Sequence, residues 1–175
     1  IIAEGNMSNI GFYLVTTDVL GNTIASIEYT LSPFNLCNDL FNFNTEYTAV
    51  FFLIKYNSKG QCIWKHQLTD NLTGVIDLGL FLSTDRQGNI LISGAHRGKV
   101  WLDSDHFIQS PDGVREAFVA KLDLNGKLLW HKIFKLENGK AGDVAVDGLQ
   151  ADQEGNIYLT SSHSLSRLFF EDLPI

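Results

Sequence analysis

The sequence predicts an all-β chain of repeated four-stranded antiparallel units, and three observations carry that prediction. The motif Asp-x-x-Gly-Asn occurs at Asp18–Asn22, Asp85–Asn89 and Asp152–Asn156, at a constant spacing of 67 residues. A fixed long period is the mark of a repeat architecture. A second motif repeats Phe, Lys, Gly and Trp at an offset of 66 residues, from Phe52–Trp64 to Phe118–Trp130. Finally, both motifs lie between short apolar and β-branched runs bounded by Gly and Asn, which read as strands joined by tight turns.

The first turn, Asp18 to Asn22, joins the runs 12–17 and 23–26. Gly21 supplies the positive φ that short hairpins need, and Asp18 bonds the backbone two residues on. The segment from about 28 to 50 is the least regular. A second hairpin turns at Asn57–Gly60 and ends on Trp64. Unit two repeats both: Asp85, Gly88 and Asn89 between 80–84 and 90–93, then a turn at Asp123–Gly126 leading to Trp130. Glu137 to Ala145 is polar and small and reads as a loop. Asp152, Gly155 and Asn156 then join 148–151 to 157–160. Four antiparallel strands repeated about an axis make a β-propeller blade. The rival, a solenoid of strands, has shorter repeats of roughly 20–50 residues with fewer turns in each. The fold class expected is therefore all-β, with β-propeller-type blades, about two and a half of them present.

The composition, 45% hydrophobic, supplies apolar surface for a core. A net charge of −7 without a Lys/Arg cluster argues against nucleic acid as a partner. No run approaches the ~18 apolar residues of a membrane-spanning helix. The chain opens at Ile1 without Met or a leader pattern, as a processed or excised segment does. The two cysteines leave the redox compartment open. Cys62 stands where Leu128 stands one unit later, so it reads first as a small buried apolar residue, with a Cys37–Cys62 disulfide as the other reading.

No nucleophile elbow, phosphate-cradling glycine loop or zinc-binding helix motif appears. The turn aspartates offer one carboxylate each in separate units, too dispersed for a calcium ion. Asp103, Asp105 and His106 form the one compact acidic/His cluster and read as a solvated loop rather than a metal site. His96 and His163 lie 67 residues apart, as the repeat alone dictates. His66 and His131 flank the tryptophans on outer strands, where exposure is normal. Phe52, Phe118, Trp64 and Trp130 read as packing residues, to be largely buried at equivalent places in successive units. No catalytic, cofactor-binding or metal residue is assigned.

The run Glu116-Ala117-Phe118-Val119-Ala120-Lys121-Leu122-Asp123 through Trp130 to Phe134, followed by Asp152 to Thr160, resembles the bacterial β-propeller repeat family called SBBP. The resemblance covers residues 50–162 well and 11–28 in part. It extends to 98–103, which is similar to a short strand of that family. It implies that the strand before Asp-x-x-Gly-Asn is innermost and the Trp-bearing strand outermost. Blade one is then 11–69, with strands 11–18, 22–28, 50–57 and 61–68. Blade two is 79–135, with strands 79–85, 89–95, 117–123 and 127–134. Residues 146–162 form the inner half of blade three. All of 1–175 is one propeller domain, expected to be partial. Further blades or a partner chain would meet an edge exposing Tyr158, Leu168, Phe169 and Phe170.

Such units serve as scaffolds in unrelated surface and secreted proteins. The expected function is a non-enzymatic scaffold for protein–protein or protein–glycan interaction, part of a larger surface, secreted or multi-subunit assembly, and extracellular or in the cell envelope, with the cytoplasm left open. Its partners would be proteins or further blades, with glycan as an alternative, and it needs no cofactor. The competing class is a propeller enzyme (lyase, glycosidase or quinoprotein-like) with its site at the central channel, where Asp147 and neighbouring titratable groups would gather.

Overall fold

One turn geometry, used five times, lays out the chain. The structure, a computed structural model, describes residues 10–30, 33–42, 49–70, 73–136, 144–152, 154–163 and 168–170. Asp18 N donates to Asn22 O at 2.9 Å, and Gly21 N donates to Asp18 O at 3.0 Å. The same two bonds close the turns starting at Asn57, Asp85, Asp123 and Asp152. Each is a tight turn followed by a glycine in the left-handed region, with φ from 75° at Gly21 to 89° at Gly155. In the three Asp-x-x-Gly-Asn copies the side chains form a clasp. Asp18 Oδ1 accepts from the amides of Leu20 and Asn22, and its Oδ2 accepts from Asn22 Nδ2. Asp85 and Asp152 repeat this with Asn89 and Asn156. Asn57 and Asp123 make the backbone half of it.

These turns join antiparallel strands into sheets. Sheet one has the order β1 (Ile10–Thr17), β2 (Thr23–Tyr29), β5 (Val50–Tyr56), β6 (Cys62–Gln67). Between β2 and β5 the segment read as irregular forms a small hairpin of β3 (Phe34–Leu36) and β4 (Asp39–Phe41). Sheet two runs β7 (Gly74–Thr84), β8 (Ile90–Trp101), β10 (Glu116–Leu122), β11 (Leu128–Leu136), with β9 (Phe107–Gln109) paired to the far end of β8. A last hairpin joins β12 (Val144–Ala151) to β13 (Ile157–His163), and β14 (Leu168–Phe170) pairs with β11. The molecule is all-β, and no helix occurs among the described residues.

The three hairpins built on Asp-x-x-Gly-Asn share a defect. Their ladders slip between Phe12 and Leu14, between Asp77 and Leu80, and between Val146 and Gly148. A bulge bends its strand at that point. The first strands of these hairpins lie against one another, β1 against β7 and β7 against β12. Thr84 Oγ1 donates to Thr17 O at 2.8 Å, and Ala151 N donates to Ser83 Oγ at 3.3 Å, so each unit is stitched to the next.

Three apolar clusters alternate with the sheets. Phe51 and Leu53 of β5 face Phe118, Ala120 and Leu122 of β10 across the space between sheets one and two. Ala117 and Val119 point the other way, onto Val144 and Val146. On the opposite face of β5, Phe52, Ile54 and Tyr56 are covered by Tyr29, Phe34 and Leu36. Phe52 and Phe118 are thus equivalent and fully buried, but by different means. Phe118 meets the preceding sheet, whereas Phe52 meets the β3–β4 hairpin folded over sheet one.

Several expectations need correction. Trp64 and Trp130 are only partly buried, because they stand on outer strands at the rim of the clusters. Cys62 is disulfide-bonded to Cys37 rather than a free apolar side chain, with a Cα–Cα distance of 5.6 Å. The hairpin turn makes this possible: Cys37 and Asn38 take φ of 53° and 67°, a two-residue turn that aims Cys37 at β6. The segment 98–103 is no separate strand, since β8 continues to Trp101. Val144 and Ala145, read as loop, belong to β12. Leu168–Phe170 do not form a free edge, because their backbone pairs with β11; their side chains, and residues 1–9 and 137–143, lie outside the described set.

Candidate functional site

The long β8 strand shapes a cleft. Past the end of β10, Lys99 N continues the ladder with β7 by donating to Thr73 O at 2.9 Å, and Trp101 N then crosses to the neighbouring unit, donating to Leu68 O at 2.8 Å. Its continuation then lies beside β6, leaving a cleft of about 390 Å³ lined by Lys65, His66, Gln67, Asp70, Trp101 and Asp103. The cleft therefore sits at the junction of sheets one and two.

Asp103 organises its floor. Oδ1 accepts from the amides of Asp105 and His106 at 2.8 Å and from His106 Nδ1 at 2.9 Å; Oδ2 accepts from Leu128 N at 2.8 Å. Burial opposes ionisation of this carboxyl, but those four donors outweigh it and hold it well below the usual carboxylate range. Its lone pairs are spent on the loop and on fastening β11. Asp105 and His106 are exposed, and Asp105 pairs with Lys127 at 2.7 Å. No group of three or more His, Cys, Asp or Glu side chains converges on a metal position among the described residues.

Two of the lining residues, Trp101 and His66, are rings packed on further aromatic side chains. Trp101 meets Phe107 edge-on at 5.2 Å, and Lys99 Nζ lies 4.0 Å from both ring centres. Cation–π attraction of this kind orders an exposed aromatic pair. On the other wall His66 stacks on Trp64 at 4.9 Å, and burial pushes its pKa down, so the ring is neutral at pH 7. His66 is thus packed and not simply exposed on an outer strand; His131, which stands where Lys65 stands in unit one, is exposed. His96 is fully buried beside Phe118, whereas His163 is exposed.

A second polar centre lies between the units. Lys55 Nζ contacts Asp18 Oδ2 at 2.8 Å, with side-chain exposures of 2% and 1%, and also donates to Leu124 O at 2.8 Å. Trp64 Nε1 donates to the same carbonyl at 3.3 Å. Lys121 repeats the ion pair with Asp85 at 2.7 Å. Asp18 and Asp85 are therefore brought to lysines of the third strand and not to each other. Sequence reasoning missed both lysines as partners, although their recurrence at an offset of 66 was the visible signal. Asp147 stands exposed at the bulge of β12, where Ser162 Oγ donates to it at 3.3 Å.

The cleft offers an aromatic wall, amide and carboxamide groups and fixed charges, an assortment suited to recognition. No protein-family model matches this chain, and no curated protein sequence matches it.

Proposed function

We propose that the chain is a β-propeller repeat scaffold of the SBBP kind, without catalytic chemistry of its own, that holds a protein or glycan partner at the clefts between its blades. The observation that carries this reading is the identical order of four strands in sheets one and two, with inner strands stitched at sequence separations of 67 and 68 residues. Sheets related this way fan out from their inner strands. The Trp101 cleft fits the pattern of a binding surface, because aromatic rings with adjacent hydrogen-bonding groups suit sugars and peptides alike. The Cys37–Cys62 disulfide supports an extracellular or envelope location, where such bonds persist.

A crystal structure tests the architecture: β1, β7 and β12 should converge on one axis. The recognition role is tested by an oligosaccharide and peptide array probed with the wild-type chain and Trp101→Ala. Loss of the hits on substitution, with an unchanged thermal melt, supports the cleft. Turnover of chromogenic glycosides or of uronate polymers by the purified chain would overturn the non-enzymatic reading.

A further inference from the structure

We infer that the open edge of β13, together with Lys121 and Trp130, is an acceptor for a β-hairpin of the β10–β11 pattern carried by another repeat unit. The inference rests on the blade reading above and names the partner of one surface. Its basis is a comparison of equivalent positions in the units.

In unit one the ion pair, the ammonium and the indole all have partners. Asp18 has Lys55 from the third strand, and Lys55 and Trp64 both donate to Leu124 O, in the outer turn of the next unit. In unit two the ion pair is present, but the next outer turn is not. Lys121 pairs with Asp85 and stays 19% exposed against 2% for Lys55. Among the described residues neither Lys121 nor the Trp130 indole reaches a carbonyl equivalent to that of Leu124. In unit three the cation itself is missing. Asp152 holds its Asn156 clasp and accepts from the Tyr158 hydroxyl at 3.0 Å, with no Lys or Arg partner among the described residues.

The backbone register says where the missing groups belong. Ile24, six residues after Asp18, pairs with Lys55; Leu91, six after Asp85, pairs with Lys121. The equivalent position after Asp152 is Tyr158. Ile24 and Leu91 are fully buried, whereas Tyr158 is 58% exposed. Among the described residues β13 pairs with β12 alone. An antiparallel strand on that edge, with a lysine opposite Tyr158, would reach the Asp152 carboxylate. The turn that follows this strand would present its carbonyl to Lys121 and Trp130, as Leu124 does to Lys55 and Trp64. One hairpin therefore completes a ladder edge, a carboxylate, an ammonium and an indole. Unpaired strand edges template this kind of addition. The other end of the array is not equivalent, because the β3–β4 hairpin already covers the matching face of sheet one.

The test uses the intact chain and a synthetic peptide of residues 116–134, followed by titration and by hydrogen exchange. The expected result is added protection at Ile157–His163 and binding that saturates. Asp152→Asn should weaken binding about tenfold, as should a peptide carrying Lys121→Met, and the two changes together should weaken it no further, since they remove one charge-assisted contact. The carboxamide introduced by Asp152→Asn can keep the turn, because Asn57 makes the same backbone bonds. No protection of β13 at millimolar peptide, protection confined to β7–β11, or equal binding by Asp152→Asn would each overturn the inference. Failure here with inner strands that do converge on one axis sinks the acceptor edge alone. Inner strands that do not converge sink the blade reading itself.

Discussion

Lys55 lies on β5 and Asp18 in the turn after β1, and each side chain is buried to within 2% of complete. A pair this deep contributes little net stability, but breaking it is expensive because a charge is left without its partner. Burial resists ionisation of Asp18, yet the bonds from Lys55 and Asn22 prevail and lower its pKa from 3.8 to about 2. Since the folded value is depressed, the contribution is present above about pH 4 and is lost as pH falls through 2. Lys55→Met should therefore cost about 3–5 kcal/mol at pH 7. In urea melts repeated at pH 2.5 the penalty should shrink, because Asp18 of the variant, without Lys55 to hold its carboxyl down, is then protonated and leaves no unpaired buried charge; a penalty independent of pH would refute the pairing. The aromatic residues divide similarly by environment. Phe118→Ala should cost about 3–5 kcal/mol, the usual figure for a fully buried ring, and Trp130→Ala distinctly less, because Trp130 is only partly covered. Equal losses in chemical denaturation would contradict the rim position of Trp130.

The β3–β4 hairpin is the element that the repeat does not explain. It lays Phe34 and Phe41 against Phe52, with ring centres at 5.8 and 5.0 Å, and so replaces a preceding sheet. The disulfide to β6 spans 25 residues of chain. The chain-entropy account gives roughly 3.5 kcal/mol for a loop of that length. Replacing Cys37 and Cys62 together by Ser should lower stability by about 2–4 kcal/mol and speed hydrogen exchange at Phe52 and Ile54 more than at Phe118; a uniform change would show that the hairpin does not cover one face selectively. This element also marks where the sequence stopped being legible. Strands and turns could be read because Asp, Gly and Asn at 67-residue spacing state a local backbone requirement. The hairpin could not, since its role depends on which face of β5 lacks a neighbour, a fact of tertiary packing. The cleft escaped for a related reason. Trp101 lies near Lys65 and Gln67 only because β8 overruns sheet two, and strand length is weakly encoded. The lysines were readable as recurrences but not as partners, because their aspartates lie 37 and 36 residues away.

At the scale of the molecule the question is how strongly neighbouring sheets are coupled, since in a repeat array each unit leans only on its neighbours. The outer turns of sheets one and two offer a controlled comparison. Gly60 and Gly126 occupy the same turn position with φ of 77° and 80°, so alanine meets the same backbone strain at either, about 1–2 kcal/mol. Their surroundings differ. Nothing lies within 4 Å of a Cβ built on Gly60, whereas one on Gly126 falls 2.4 Å from His66 Nε2 and 3.2 Å from the Trp64 ring. Gly60→Ala thus reports the turn alone, and Gly126→Ala reports the turn plus the contact between sheets. The His66 ring is held by its stack on Trp64, so it yields at a cost, and overpacking of this kind adds roughly 1–3 kcal/mol. Gly126→Ala should therefore destabilise more than Gly60→Ala by about that amount. It should also loosen Lys55, whose bond to Leu124 O runs through the same turn. Adding His66→Ala should recover most of the excess, because it removes the atom in collision. Equal losses for the two glycine variants would mean that the outer turn of sheet two does not bear on sheet one, and the coupling would then have to reside in the inner strands alone.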